Sequence, residues 1–276
     1  MQAILAATMQ PQAVVSLRYP VAPNPEAWVL PEGPVPESTA HQAAVFRIYS
    51  LLLAWAGRVK AEREVRIGQE LAVRWLPEHP KTGIDPDVCV LEPGPVDFDD
   101  LSSLRLWEAG RVPPRLAIEV VSASHPYKDY AGIQERYAAM GAYELLVFDP
   151  LLVGPRSLGG PVSLQLWRRD STGAFDRVHF SGEPVHSLVL DAWCIADGRA
   201  LQIADDRRGH QRWLTEAEHS RADAERAQAN AERAQADAER AQADAERAQA
   251  DAERERLARE ELERRLRELE SRLPAR

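Results

Sequence analysis

The pattern of apolar and polar positions between residues 115 and 150 predicts a strand, a helix and a second strand. Leu116 to Val121 is an apolar run, Lys128 to Met140 has helical spacing, and Tyr143 to Asp149 is apolar again. Two strands joined by a crossover helix are typical of a parallel pair in an α/β sheet. Glu119 is the one charged residue within the first of these strands.

The remaining pattern of the first 200 residues predicts a long helix and two hairpins. The segment ESTAHQAAVFRIYSLLLAWAG has helical spacing, with Ser38 or Thr39 as its N-cap and Gly57 as its end. Alternation in ELAVRWL and DPDVCVLEP, joined by the turn HPKTG, predicts one hairpin. Alternation over residues 164–180, with a turn at DSTG, predicts another. Together these elements predict a mixed α/β sheet flanked by helices.

Beyond about residue 215 the pattern becomes a seven-residue repeat. The motif ADAERAQ recurs, and a heptad register with Ala224 at position a and Ala227 at position d continues to the end of the chain. The same register then passes through leucines at Leu262, Leu266, Leu269 and Leu273. We therefore predict an N-terminal segment (1–27), a globular body (28–215) and a long coiled-coil-like C-terminal helix (216–276).

The predicted heptad seam is interrupted, because Glu255 falls at d and Arg259 at a. Alanine also buries little apolar surface, so only the leucine end could hold a partner firmly. Homo-oligomerisation through this helix is one interpretation. The other is a solvated helix without a partner, stabilised by alanine propensity and by Asp-to-Arg pairs three residues apart.

Composition and charge restrict the compartment and the partners. The net charge is −9, with 21 basic against 26 acidic residues through Thr215 and 13 against 17 afterwards, which argues against non-specific nucleic-acid binding through a positive face. Cys89 and Cys194 are too few for a disulfide framework and have no CxxC spacing. The chain has no basic leader and no run long enough for a membrane span, so we expect a cytoplasmic protein.

Two carboxylates enter apolar strands and suggest a metal site. Glu119 lies among Leu, Ile and Val neighbours, and Asp87 opens the apolar run of GIDPDVCVL. A buried carboxylate is unfavourable unless it is paired or bound to a cation, and two on adjacent strands would form an oxygen-rich site for Mg²⁺ or Mn²⁺. Spacing alone leaves an alternative open, in which Asp87 is a turn residue and Glu119 pairs with an arginine such as Arg136.

The order of three blocks resembles a known family. PDVCVLEP, RLAIEVVSAS and KDYAGIQERYAAMGAYELLVFDP, preceded by the helix opening ESTAH, are similar to the Uma-type restriction endonucleases of the PD-(D/E)XK nuclease superfamily. The resemblance covers roughly Trp28 to Asp206. It implies a restriction-endonuclease-like mixed sheet and a nuclease that hydrolyses phosphodiester bonds in nucleic acid, with DNA as the expected substrate.

The resemblance also implies roles for individual residues. Asp87 and Glu119 would coordinate Mg²⁺ or Mn²⁺, which polarises the scissile phosphate, while a lysine positions the attacking water. The usual lysine position is Val121 here, and the position to which this branch moves the lysine is Ile133. Lys128 at the helix start is therefore the candidate lysine, and Gln134 is a candidate for orienting the water.

The missing lysine leaves three interpretations of function. The first is an active metal-dependent endonuclease. The second is a catalytically impaired relative that binds nucleic acid, and the third is an interaction protein that oligomerises through its coiled coil. His41 and His125 are expected to be surface or capping residues rather than ligands, although His125 follows the strand of Glu119.

Overall fold

The computed structural model describes residues 16–17, 24–30 and 38–271, so most of the predicted N-terminal segment lies outside the described residues. The chain divides into two units, Met1–Glu216 and Ala217–Arg276. The first is the α/β body. The second consists of the C-terminal helix and is described separately.

The elements follow in chain order. They are β1 (Ser16–Leu17), α1 (Thr39–Val59), β2 (Arg66–Gln69), β3 (Val73–Arg74), β4 (Gly83–Ile84), β5 (Val88–Leu91), β6 (Leu104–Arg105), β7 (Leu116–Val120), α2 (Pro126–Tyr130), α3 (Ile133–Met140), β8 (Glu144–Phe148), β9 (Leu164–Arg169), β10 (Phe175–Ser181), β11 (Val185–Ser187), β12 (Ala192–Asp197), β13 (Ala200–Ala204) and α4 (Glu216–Ser271). Short 3₁₀ turns lie at Phe98–Asp100 and Arg156–Leu158.

The main sheet is mixed and has the order β1-β10-β9-β8-β7-β5-β2. β7 and β8 are parallel, as the predicted strand-helix-strand unit requires, and their neighbours β5 and β9 pair with them antiparallel. Two three-stranded sheets, β11-β12-β13 and β4-β3-β6, complete the body. The predicted mixed α/β fold is confirmed, and so is the hairpin of β9 and β10.

The main sheet is covered on both faces, because alternate residues of its central strands enter two different cores. Leu116, Ile118 and Val120 of β7 pack with α1 in one core. Ala117 and Val121 pack in the other core with Ile133 and other residues of α3. This alternation directs the side chain of the intervening residue 119 toward α3.

Helix α1 begins as predicted and ends later than predicted. The Ser38 hydroxyl accepts a hydrogen bond from the backbone N–H of His41 at 3.2 Å, which identifies Ser38 as the N-cap. Gly57 does not end the helix, which continues to Val59. A glycine lowers helix propensity, but tertiary packing of the apolar face of α1 outweighs that loss.

Two further predictions were wrong in detail. β5, the strand that follows Asp87, does not pair with the strand around Val73. It pairs with β2 and β7, while β3 pairs with β4. The predicted helix over Lys128 to Met140 is broken into α2 and α3 at Ala131 and Gly132. Gly132 has a φ of 90°, a left-handed conformation that glycine adopts readily, so the chain changes direction there.

A buried carboxylate in β8 ties the main sheet to the segment around β11. Glu144 is fully buried and pairs with Arg168, whose Nε lies 2.7 Å from Oε1. The Ser187 hydroxyl donates to Oε2 at 2.6 Å, and the backbone N–H groups of Leu188 and Val189 donate at 3.0 and 3.4 Å. Each carboxylate oxygen therefore accepts two hydrogen bonds, which offsets the desolvation of the charge.

Helix α4 is continuous over 56 residues, about 84 Å at a rise of ~1.5 Å per residue. Its surface carries Asp–Arg pairs three residues apart, such as Asp237 and Arg240 at 3.5 Å. The long helix is confirmed; its pairing into a coiled coil stays a prediction, and Leu273 lies outside the described residues. No helix in the described ranges is long and apolar enough to cross a membrane.

We expect Glu144→Ala to lower the free energy of unfolding by about 3–5 kcal/mol, because it leaves a partly buried arginine and three other donors without their acceptor. Urea denaturation would measure the change. The control is Glu183→Ala, which removes an exposed pair with Arg207 and should change stability by less than about 1 kcal/mol. Equal effects of the two substitutions would contradict the anchoring role of Glu144.

Candidate functional site

The register of the main sheet brings Asp87 and Glu119 together. β5 and β7 are antiparallel with Val88 opposite Ile118, so one step further along the ladder sets Asp87 opposite Glu119. Both residues follow the alternation that points toward the α3 side of the sheet. The juxtaposition predicted from sequence is therefore a direct result of strand pairing.

Asp87 is held at the end of β7 by backbone and histidine contacts. Its Oδ2 accepts a hydrogen bond from the Val120 N–H at 2.6 Å and lies 3.3 Å from Nε2 of His41. The same His41 nitrogen lies 2.8 Å from the carbonyl oxygen of Val120. His41 was expected at the surface, but it is only 4% exposed, so the start of α1 is fixed against the site.

Glu119 is buried with only half of its carboxylate satisfied. The side chain is 1% exposed, and Oε1 accepts a hydrogen bond from the Tyr137 hydroxyl on α3. Within the described part of the chain, no hydrogen-bond donor reaches Oε2. The ammonium group of Lys128 lies 3.7 Å from this oxygen, which is an ion pair longer than a hydrogen bond.

Lys128 lies between Glu119 and a third carboxylate, that of Asp129. Its side chain is half-exposed, and its Nζ lies 3.9 Å from Oδ1 of Asp129 as well as near Glu119. Asp129 is 3% exposed, and its Oδ1 has no hydrogen-bond partner among the described residues. One cation on α2 therefore faces two buried carboxylates.

The concentration of negative charge changes the protonation of the site. Burial raises the pKa of Glu119 well above its usual value; Asp87 and Asp129 add to the increase, and Lys128 opposes it. Burial likewise raises the pKa of Asp129 to about 7, against the opposing effect of Lys128. The pKa of Tyr137 is also raised, first by burial and then by the neighbouring Glu119, so it remains a hydrogen-bond donor.

The positions expected to carry the catalytic lysine are both apolar core positions. Val121 and Ile133 are buried in the core that lies between the sheet and α3. Gln134 is half-buried on α3, and in the described ranges no hydrogen bond joins it to Asp87 or Glu119. The alternative partner Arg136 donates instead to the carbonyl oxygen of Ala27 at 3.3 Å.

Comparison with the second buried glutamate shows what is unusual about Glu119. Glu144 lies on the neighbouring strand, is equally buried and accepts four hydrogen bonds. Glu119 accepts one, and its second oxygen faces a half-exposed lysine across 3.7 Å. A buried carboxylate left in this state is a candidate for binding a cation or for proton transfer.

The donor set fits a divalent metal ion. Mg²⁺ prefers oxygen ligands and is commonly held by one or two carboxylates, with water and substrate phosphates completing the shell. In the described segments, no group of three or more His, Cys, Asp or Glu residues is arranged to hold a metal ion by itself. Asp87 and Glu119 could therefore hold such an ion only together with water or substrate oxygens.

Sequence reasoning missed Asp129 and the contacts of Tyr137. Asp129 follows Lys128 in a polar stretch, and nothing in the local sequence marks it as a buried residue. The hydrogen bond from Tyr137 to Glu119 depends on the packing of α3, which the local sequence does not specify.

The model of the Uma2 family, described as "Putative restriction endonuclease", matches residues 23–169, just over half of the chain. A similar solved structure is described as a putative nuclease belonging to DUF820 from Anabaena variabilis; it is 15% identical, with a TM-score of 0.36 over 57% of this chain and 76% of that one. None of the curated proteins matches the chain.

We expect Asp129→Asn to stabilise the protein by an amount that grows with pH. The raised pKa means that the folded state holds a proton that the unfolded state releases from about pH 4 upward, so wild-type stability falls until the folded pKa of about 7 is passed. The gain should grow by at most about 1.4 kcal/mol per pH unit across this window. Urea denaturation with a chelator, between about pH 4.5 and 8, would measure it.

The control for this experiment is Asp99→Asn, at an exposed position of the body. The free energy of unfolding of Asp99→Asn should differ little from that of wild type, and the difference should not grow with pH as it does for Asp129→Asn. A pH-independent effect of Asp129→Asn would show that the carboxyl of Asp129 does not titrate in this window.

Proposed function

Because the chain belongs to the Uma2 family of restriction-endonuclease-like proteins, we propose that its body is a metal-dependent endonuclease that hydrolyses phosphodiester bonds in DNA. The observation that carries the proposal is the buried Glu119 carboxylate, which lies opposite Asp87 and has one oxygen that no donor among the described residues reaches. The family match by itself supports only the assignment of the chain to the nuclease class. The metal, the substrate and the residue roles are the proposed part.

Asp87 and Glu119 would hold Mg²⁺ or Mn²⁺. Such an ion, when bound, polarises the scissile phosphate and lowers the pKa of the attacking water. The hydrogen bonds from Val120 to Asp87 and from Tyr137 to Glu119 fix one oxygen of each carboxylate. The rigid sheet and α3 therefore orient both ligands before an ion binds.

Lys128 would supply the positive charge that the superfamily takes from its usual lysine. It is half-exposed and already lies 3.7 Å from Glu119, so its flexible side chain can reach both the site and solvent. From there it can position a water molecule and neutralise charge on the phosphate. Gln134 on α3 remains the proposed group for orienting a water without altering the charge.

A second candidate function follows from Ile133. This position is occupied by a buried apolar residue where the related enzymes carry lysine, so the body can be a nuclease-fold protein that binds nucleic acid without cutting it. The acidic body makes such binding depend on a local site rather than on a broad basic face. A third candidate, an interaction protein, rests on α4.

The first test compares plasmid cleavage by wild type, Glu119→Gln and Lys128→Ala with Mg²⁺ or Mn²⁺. We expect both substitutions to reduce cleavage by about 100-fold or more, because each removes a group acting on the phosphate or the water. Calorimetric titration with Mn²⁺ should lose its signal in Glu119→Gln. Glu135→Gln and Lys60→Ala are controls of matched chemistry outside the site.

Loss of cleavage in the two site variants would exclude a contaminating nuclease, since a contaminant would cut equally in every preparation. Cleavage retained in Glu119→Gln would contradict the catalytic proposal. Manganese binding without cleavage in wild type would favour the impaired, nucleic-acid-binding relative.

The second test restores a lysine at the related position through Ile133→Lys. Residue 133 lies one helical turn before Tyr137, which contacts Glu119, so a lysine there would extend along the same face of α3. We expect cleavage to rise at least tenfold, together with a loss of stability of a few kcal/mol from burying an amine. Ile133→Met is the uncharged control. Unchanged cleavage by a folded Ile133→Lys protein would show that the missing lysine does not limit activity.

A further inference from the structure

We propose that α4 pairs with α4 of a second copy of this chain as a parallel, in-register, two-stranded coiled coil whose firm contact is its leucine end. This inference does not depend on the nuclease proposal, because it uses only residues of the C-terminal unit. Its partner is another copy of the same helix, and the orientation follows from the charges beside the seam.

The leucines at the end of α4 form an apolar surface that the single helix leaves exposed. Leu262 and Leu266 occupy positions d and a and are 66% and 58% exposed. The sequence continues the same positions with Leu269 and Leu273. Leucines spaced three and four residues apart on an otherwise charged helix are the pattern by which two helices bury a common seam.

The charges beside the seam match only when two copies run in the same direction. In a parallel pair, position g of one helix faces position e of the next heptad in its partner. Asp251 at g would then face Arg256 at e. Two-fold symmetry doubles this to two attractive contacts. In the alanine repeats the facing groups are aspartate and glutamine, as with Asp237 and Gln242, so no like charges meet there.

An antiparallel pair would lose this match. Position g then faces g, so full overlap of the two helices would set Asp237 against Asp251 and Asp244 against its own copy, while Arg265 would meet Asp223. The same overlap would place Leu262 against Ala224, which leaves most of the leucine surface uncovered. The parallel alignment is the one in which leucine faces leucine and each charged flank meets a neutral or opposite one.

The two charged seam positions are compatible with the parallel arrangement. In a parallel pair Glu255 at d faces Glu255 of the partner and Arg259 at a faces Arg259, so two like-charged layers are adjacent and each is next to a layer of the opposite charge. The flanking charges are solvent-exposed in the single helix; Asp251 pairs with Arg254 at 3.3 Å with about three quarters of each side chain accessible. When two copies pair, these exposed side chains can therefore form contacts between the helices without burying an isolated charge.

The orientation of the two helices can be tested with cysteines introduced into α4, because the two natural cysteines are buried. Cys89 and Cys194 are fully buried, and burial raises the pKa of each thiol to about 12, so they react slowly in the folded protein. Full-length Leu262→Cys and Ala224→Cys proteins, one carrying an affinity tag, would be mixed and oxidised with glutathione disulfide. The parallel model expects disulfides between identical variants. Mixed disulfides between residues 262 and 224 would overturn it.

Analytical ultracentrifugation of the full chain gives an independent measurement. Wild type should sediment as a dimer at tens of micromolar, and the double substitution Leu262→Glu, Leu266→Glu should reduce it to a monomer. The matched control is Leu257→Glu, because Leu257 is 52% exposed but occupies position f outside the seam, and this protein should stay dimeric. A monomeric wild type, a species larger than a dimer, or equal dissociation by Leu257→Glu would overturn the proposal.

Discussion

A carboxyl group buried inside the main sheet is the constraint around which the body is organised. Glu119 lies in a central strand with both faces covered, and the surrounding elements each contribute something to its environment. The strand β5 brings Asp87 opposite to it, α3 brings the Tyr137 hydroxyl, and α2 brings the ammonium of Lys128. Helix α1 fixes the next peptide through His41. An uncompensated carboxylate at this depth would strongly destabilise the fold, so these elements are coupled through it.

The two buried glutamates show how one fold separates stability from chemistry. Glu144 has its hydrogen-bonding capacity filled by an arginine, a hydroxyl and two peptide groups, and it joins two parts of the body. Glu119 has the same burial with fewer donors, and its second oxygen faces a half-exposed lysine across 3.7 Å. A buried carboxylate whose oxygens all accept hydrogen bonds, such as that of Glu144, holds its surroundings rigidly. An incompletely satisfied carboxylate is less stable, but it retains an oxygen that a ligand can use.

The sequence predicted the elements better than their partners. Largely apolar runs predicted β7 and β8, because strands buried on both faces have few other compositions available. The pairing of β5 was predicted wrongly, since local alternation cannot distinguish β3 from β2 as a neighbour. The family resemblance identified Asp87 and Glu119, whereas the pattern alone does not distinguish Glu119 from Glu144. Asp129 could not be predicted, because its burial depends on how α2 turns after the break that separates it from α3.

The break between α2 and α3 at Gly132 also has a consequence for substitutions in the site. It places the cation of the site, Lys128, on one short helix and the residue that hydrogen-bonds Glu119, Tyr137, on another. A mutation that moves the positive charge from α2 to α3 need not disturb the hydrogen bond between Tyr137 and Glu119. Because the chain breaks at Gly132, a substitution on α2 can change the charge near Glu119 while the hydrogen bond from α3 stays in place.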